Sequence, residues 1–335
     1  MKKIKIVLCL LLIVMVLVLS VACDTREKVT IYTSTEEYNM EYMQKCLDAQ
    51  FPNYKIVIEY MGTSNIAAKV KEEGADSDVD IIYAEEYGYM EMLIKAGVLD
   101  ELKDYDTSKY VDEAMPEAVK GYVLPAIMTG GAVVINKRVM AAKGITEDNY
   151  PTKYEDLLDP KYSGLVSMAS PKASGTGYMF YYSLVKAWGE EKALEYFDAL
   201  SANVLAYTSS GSGPINALIA NAGEVAVGFG MISQAVEKIN GGNTDLAILF
   251  FEEGAPYNMY GNAIVKGKSE RSAVTSVMRY LDQFYTNASN EKYYPEPVLK
   301  GTNYSIPNFP TNIHYADMTG NNLEKKTELL AKWTH

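Results

Sequence analysis

The chain has 335 residues, with 31 Lys and Arg against 43 Asp and Glu, for a formal charge of −12. That balance argues against nucleic acid as a partner, because phosphate backbones are held by basic patches. Three cysteines and two histidines in the whole sequence leave no CxxC, no His-rich stretch and no zinc-like cluster.

The first predicted element is a leader. Lys2, Lys3 and Lys5 precede an unbroken apolar run from Ile6 to Leu19, closed by Ser20, Val21, Ala22 and Cys23. A positive start, an apolar stretch and a small-residue end make a secretory signal peptide, predicted over residues 1–22. The run is at the short end for a bilayer span, so a transmembrane anchor is the weaker reading. "LSVAC" resembles the lipobox of bacterial lipoproteins, with Ser20 in place of the usual leucine. The resemblance implies acylation of Cys23, a membrane-anchored tether over 23–27 and a place in the cell envelope, on the outer face of the cytoplasmic membrane or in the periplasm. Only Cys46 then remains, and no internal disulfide can form. About 310 residues follow the leader, more than one small domain needs and enough for two lobes.

Beyond the tether, strands and helices alternate. "KVTIYTS" is β-branched and predicts a strand; "EEYNMEYMQKCLDAQFP" spaces Met40, Met43, Leu47 and Phe51 as an amphipathic helix stopped by Pro52. "YKIVIEYM" is a second strand, "SNIAAKVKEEG" a helix ending at Gly74, "VDIIYAEE" a third strand and "YGYMEMLIKAG" a helix ending at Gly97. Three strand–helix alternations predict an α/β lobe with a largely parallel sheet. Further on, "GGAVVINK", "LVSMAS", "NVLAYT", "EVAVGFG" and "TDLAILFFEEG" predict strands. Helices are predicted in "TGYMFYYSLVKAWG", "EEKALEYFDALSA", "PINALIANAG" and "ISQAVEKING". "GNAIVKG" starts another strand, "SERSAVTSVMRYLDQFYT" is a long helix, and the tail after Ser289 is irregular until "NNLEKKTELLAKW". Two α/β lobes follow: 28–115 with about 255–298, and 116–254 with about 299–335. The chain crosses near residues 110 to 130 and returns near 250 to 260.

Ligands of open α/β sheets bind beyond the carboxyl ends of the strands. "TSTEEY" places Ser34 and Thr35 after the first strand, with acids that also suit a helix start. "YAEEYGY" places Glu85 and Glu86 after the third, with Glu85 expected to face the cleft. In "SPKASGTGYMF", Ser174, Gly175 and Thr176 open a helix with small residues, which frees backbone amides for an anion, and Lys172 adds charge. "TSSGSGPINALIA" repeats the device with Ser210 ahead of Pro214. Ser233 and Gln234 open another helix, and Asn258 is expected just after a strand end. No GxxxxGK[ST], GxSxG or HExxH occurs, and both histidines, His314 and His335, lie in the tail. Glu252 and Glu253 are read as strand neighbours on opposite faces, unsuited to a two-carboxylate glycosidase. No metal, cofactor or catalytic group is expected, so the reading is a binding protein rather than an enzyme.

"VTIYTSTEE", "YEDLLDPKYSGLVSM", "SPKASGTGYMF", "SGSGPINALIANAGEVAVGFG" and "EEGAPYNMYGNAIVKG" occur in the order seen in family 1 extracellular solute-binding proteins of bacterial ABC importers, which the chain resembles over nearly its whole mature length. The resemblance implies a two-lobed periplasmic-binding-protein type II fold with a hinge and an inter-lobe cleft. It implies a monomer that gives its solute to a membrane permease driven by an ATPase. It implies that Ser174, Gly175 and Thr176 hold a phosphate or phosphonate, with Ser34 and Thr35 from the opposite lobe. Glu85, Thr129, Ser210, Ser233, Gln234 and Asn258 would read the remainder. Hexose-phosphate and 2-aminoethylphosphonate binders are the members it resembles most. Ferric-iron and thiamine binders belong to the same group. The ferric members place a tyrosine pair where this chain has Met231, Ile232, Ser233 and Gln234, and a histidine after the first strand where it has "STEE". Glu85 does fall where they keep a metal-binding acid. A secreted phosphoester-acting enzyme is the remaining alternative.

Overall fold

The computed structural model describes residues 24–220 and 223–335, so the predicted leader and the predicted acylation site Cys23 lie outside the described residues. Strands and helices first alternate as β1 (Glu27–Thr33), α1 (Glu37–Gln50), β2 (Tyr54–Tyr60), α2 (Thr63–Glu73), β3 (Ile81–Glu86) and α3 (Tyr87–Lys95). A long strand, β4 (Leu124–Asn136), leads to α4 (Lys137–Ala142), β5 (Val166–Ala169), α5 (Gly175–Trp188), α6 (Glu190–Leu200) and β6 (Val204–Thr208). Then come α7 (Gly213–Ile219), β7 (Val227–Met231), α8 (Ile232–Asn240), β8 (Leu246–Leu249) and β9 (Tyr257–Ile264). The chain ends with α9 (Ser272–Tyr280), a π-helical turn (Leu281–Tyr285), α10 (Thr286–Tyr293) and α11 (Leu323–Lys332). Among the described residues, no helix is long and apolar enough to cross a membrane.

The strand order is β2-β1-β3-β9-β4-β7-β5-β6, with β8 also pairing β4. β1 is parallel to β2 and β3, and β9 is antiparallel to β3 and β4. In the second lobe β5 is parallel to β6 and β7, while β4 runs antiparallel to β7 and β8. The two-residue period of a strand splits the first lobe's core across its sheet. Val29 and Ile31 of β1 pack with Met43 and Leu47 of α1, while Tyr32 packs with Ile66 and Val70 of α2. The second core gathers Met168, Phe180, Phe229 and the tail residues Leu329 and Trp333.

Several elements differ from their sequence reading. β4 begins at Leu124 rather than Gly130, so part of the expected crossover is strand. Pro125 cannot donate to a ladder, and it sits where the β4–β9 register shifts, a place that tolerates proline. β9 starts at Tyr257, so Asn258 lies inside a strand, paired across from Thr129, and not after a strand end. Glu252 and Glu253 lie beyond the end of β8 and outside any strand; Glu253 accepts a hydrogen bond from Trp188 Nε1 at 3.0 Å. The helix after Ser272 persists through the π turn to Tyr293, because Leu281 and Tyr285 stay in the first core.

Candidate ligand cleft

α5 starts at Gly175 because Ser174 caps it, its Oγ accepting from Thr176 N at 3.2 Å. Two residues on, a Cβ on Gly177 would sit 2.2 Å from Ala169 O, so only glycine lets the helix start lie flush on the end of β5. α2 of the other lobe meets this point. Gly175 N donates to Thr63 Oγ1 at 3.2 Å and Ser64 Oγ donates to Ala173 O at 3.4 Å. Tyr60 OH donates across the gap to Ser210 Oγ at 2.7 Å.

These contacts border a narrow cavity of about 30 Å³, room for a water rather than for a solute in this closed arrangement. Strand ends of the first lobe supply Ser34, Thr35, Glu36, Tyr60, Gly62, Thr63 and Ala84. The second lobe supplies Ser174, Gly175, Thr176, Ser209, Gly211 and Met231; Ile127, Thr129 and Tyr260 come from β4 and β9, and Tyr294 from the end of α10. First-turn N–H groups have no partner within their own helix and carry the positive end of its dipole. The starts of α2 and α5 both border this cavity beside serine and threonine hydroxyls, and an anion would draw on the α5 amides of Gly175 and Thr176 by replacing Thr63 Oγ1 and Ser174 Oγ as their acceptors. β3 bulges here: Ala84 has φ 53°, its N–H donates to Asn262 Oδ1 at 2.9 Å, and its carbonyl accepts from Ser34 Oγ at 3.3 Å. A left-handed alanine is a local strain that the surrounding hydrogen bonds hold in place.

Of the residues anticipated for the ligand, Ser34, Thr35, Thr129, Ser174, Gly175 and Thr176 line the cavity. Ser210 holds Tyr60 at the rim. Ser233 Oγ lies 3.3 Å from Thr129 Oγ1, behind the wall. Gln234 Nε2 donates to Ser212 O and Asn216 Oδ1, both at 3.1 Å, and so braces the Gly/Ser loop. Asn258 Nδ2 donates to Gly175 O at 3.0 Å, bracing the start of α5. Lys172 is exposed and does not line the cavity. Glu85 is off the wall as well: it is fully buried, one oxygen accepts from Glu86 N at 3.0 Å, and the other has no partner among the described residues.

Burial, and then the neighbouring Glu86, push the Glu85 carboxyl well above the usual glutamate range. The folded state therefore binds this proton more tightly than the unfolded chain, and stability falls as pH rises from 4.5 toward the raised value. Glu85→Gln is expected to flatten that fall. Melting curves from pH 5 to 8 that keep the wild-type slope would contradict it.

The sequence reading took Glu36 as a helix-start acid and passed over Tyr60, Gly62, Thr63, Tyr260 and Tyr294. "YMGTSN" after β2 holds the same Gly–Thr helix start as "ASGTG", a signal available in the sequence. Glu36 is buried; its Oε2 accepts from Tyr294 OH at 2.8 Å and from Thr35 Oγ1 at 3.3 Å. Burial pushes its carboxyl up, partly offset by these hydroxyls.

Beside the cavity a buried ion pair ties the lobes. Lys326 of α11, whose neighbour Leu329 packs in the second core, reaches Glu86 at the end of β3. Glu86 also caps α3, accepting from Gly88 N at 3.0 Å. Lys326 Nζ lies 3.8 Å from the ring centre of Tyr89 and 4.6 Å from that of Tyr178.

Residues 41–311 match the family model described as "Bacterial extracellular solute-binding protein". An uncharacterized protein of Haemophilus influenzae is 27% identical over 257 residues, 75% of this chain and 71% of its own length. The periplasmic binding protein AfuA from Actinobacillus pleuropneumoniae, solved with fructose-6-phosphate bound, has a similar fold: TM-score 0.80, 23% identity, 92% of this chain and 98% of that one. Iron-bound HitA from Pseudomonas aeruginosa is also similar, with TM-score 0.72 and 20% identity over 91% of this chain and 99% of its own.

Proposed function

We propose that this chain, which belongs to the bacterial extracellular solute-binding protein family, captures a small phosphorylated or phosphonate solute and delivers it to an ABC permease. The observation that carries this reading is the convergence of two helix starts, at Gly62–Thr63 and Ser174–Thr176, on one cavity whose lining, among the described residues, includes no lysine, arginine or histidine. Amides and hydroxyls then do the work of fixed positive charge, as helix termini do for phosphates elsewhere. The fructose-6-phosphate in the AfuA structure, on a similar fold, is in keeping with this. The iron in HitA keeps ferric binding as a second reading; against it, Met231, one of the four residues standing where the ferric members place a tyrosine pair, is on the cavity wall.

The lobes close by bending where β4 and β9 pass between them, and the permease reads the closed form. Acylated Cys23 tethers the protein at the outer face of the membrane, where it acts as a monomer without catalysis. A thermal-shift panel of hexose phosphates, phosphonates, inorganic phosphate, thiamine and ferric citrate tests the ligand. A solute at about 100 times its dissociation constant adds about 2.7 kcal/mol of stability. Phosphorus-bearing solutes are expected to shift the melt, and Ser174→Ala with Thr176→Ala is expected to abolish the shift. A response to iron alone, or an undiminished shift in the double variant, counts against this function.

A further inference from the structure

The described chain begins beside an aromatic patch. Cys23, the proposed acylation site, is the residue before Asp24. Arg26 Nε and Nη2 each donate to the Asp24 carboxylate at 2.9 Å, and Lys55 Nζ lies 3.9 Å from it. Arg26 Nη1 donates to Tyr54 O at 3.2 Å and to Pro52 O at 3.4 Å. The first described residues are thus clasped to the turn between α1 and β2. Consecutive Cα atoms are about 3.8 Å apart, so an acyl chain on Cys23 starts at the surface of the folded body, with no free linker between them.

What lies beside the clasp is a row of rings. Phe51 and Tyr54 stack with centres 5.5 Å apart, Tyr280 meets Phe51 edge-on at 5.7 Å, and Phe284 follows Tyr280 at 5.7 Å. Phe51, Tyr54 and Tyr280 rest on the first core. Phe284 stands out from it, and at 60% it is the most exposed large apolar side chain among the described residues. The π turn sets its direction: Leu281 and Tyr285 are held in the core, and Phe284 is turned outward between them. Such π insertions are rare and fall frequently at functional sites. An exposed apolar ring on a patch of further rings suits a partner that is itself apolar with a polar boundary.

We infer that this patch is a membrane-docking face: Phe51, Tyr54, Tyr280 and Phe284 lie on the lipid surface into which the acyl chain of Cys23 inserts. This rests on the proposed acylation and adds an orientation to it. Aromatic rings settle at the boundary between headgroups and hydrocarbon, and Arg26 and Lys55 bring positive charge toward anionic headgroups. The patch sits at the amino ends of β1 and β2, while the cleft lies beyond their carboxyl ends, where Ser34 and Tyr60 stand. Strands of seven residues separate the two, about 20 Å of rise. Docking on this face therefore holds the cleft clear of the headgroups.

Fluorescence quenching tests this on the full chain, purified from membranes and reconstituted into vesicles of phosphatidylethanolamine and phosphatidylglycerol with brominated acyl chains. Phe284→Trp puts a reporter on the patch. Leu205→Trp puts one on β6, which is at the opposite edge of the strand order from β2 and leaves Leu205 47% exposed. Wild type supplies the background of Trp188 and Trp333, both packed with the second core. The Phe284→Trp signal is expected to be quenched at least about twofold more than the Leu205→Trp signal, because interfacial rings sit next to the acyl chains. Tyr54→Trp serves as the patch reporter if Phe284→Trp does not melt cooperatively. Mass spectrometry of the mature amino terminus reads the acylation separately. An acylated chain quenched equally at the two positions, or more at Leu205, keeps the anchor and overturns the docking face. A chain without an acyl group that is still quenched selectively at Phe284 keeps the docking face and overturns the anchor. A chain with neither acyl group nor selective quenching overturns both.

Discussion

Lys326→Met is expected to destabilise the protein by about 3–5 kcal/mol, read as a lower urea midpoint at an unchanged slope. Lys326 and Glu86 are each 2% exposed, and each is the other's salt-bridge partner. Removing the ammonium strands a buried carboxylate that still caps α3 through Gly88 N. It also removes a cation from between the rings of Tyr89 and Tyr178. Replacing both members is a different experiment, because an apolar and neutral pair of similar volume carries no uncompensated charge. The double variant Lys326→Met with Glu86→Gln is therefore expected to recover most of the loss. A single variant within about 1 kcal/mol of wild type would place the pair among weak surface interactions.

Gly211→Ala is expected to weaken binding of the cognate solute roughly a hundredfold, about 2.7 kcal/mol. A Cβ there would stand 2.3 Å from Thr176 Oγ1 and 3.1 Å from Ser174 Oγ. One methyl group thus displaces both hydroxyls that open α5, while the cores of the lobes are untouched. Calorimetric titration with the solute that gives the largest thermal shift provides the number, and a cooperative melt confirms that the variant is folded. Binding within about threefold of wild type would mean that these hydroxyls face away from the bound solute.

The regular elements were legible because each announces itself locally. β1 alternates, α1 spaces Met43 and Leu47 four apart, and α5 opens on capped small residues. What was not legible depends on pairing between distant residues. Pro125 argues against a strand by itself, and only its partner β9 makes the bulge tolerable. Asn258 looks like a turn residue until Thr129 is placed across from it. The cavity divides in the same way. Ser34, Thr35 and the Ser174–Thr176 start were visible as strand-end loops. Tyr260 and Tyr294 belong to a strand interior and a helix end, and join the wall only when these late segments pack into the core formed by β1 and β3. Glu85 and Glu86 are adjacent in sequence, and no local pattern tells which of them meets Lys326, 240 residues away.

The position of β9 also bears on when the protein can take shape. β9 lies between β3 and β4, so the first lobe's sheet lacks an inner strand until residue 264 has been made. The Ala84 N–H, near the end of β3, finds its acceptor on Asn262, 178 residues later. Contacts of such long sequence separation make folding slow, since loop closure must come before any reward from pairing. A growing chain therefore stays open through most of its synthesis and commits to its native shape late. That delay suits a polypeptide that must be threaded through a membrane pore before it folds.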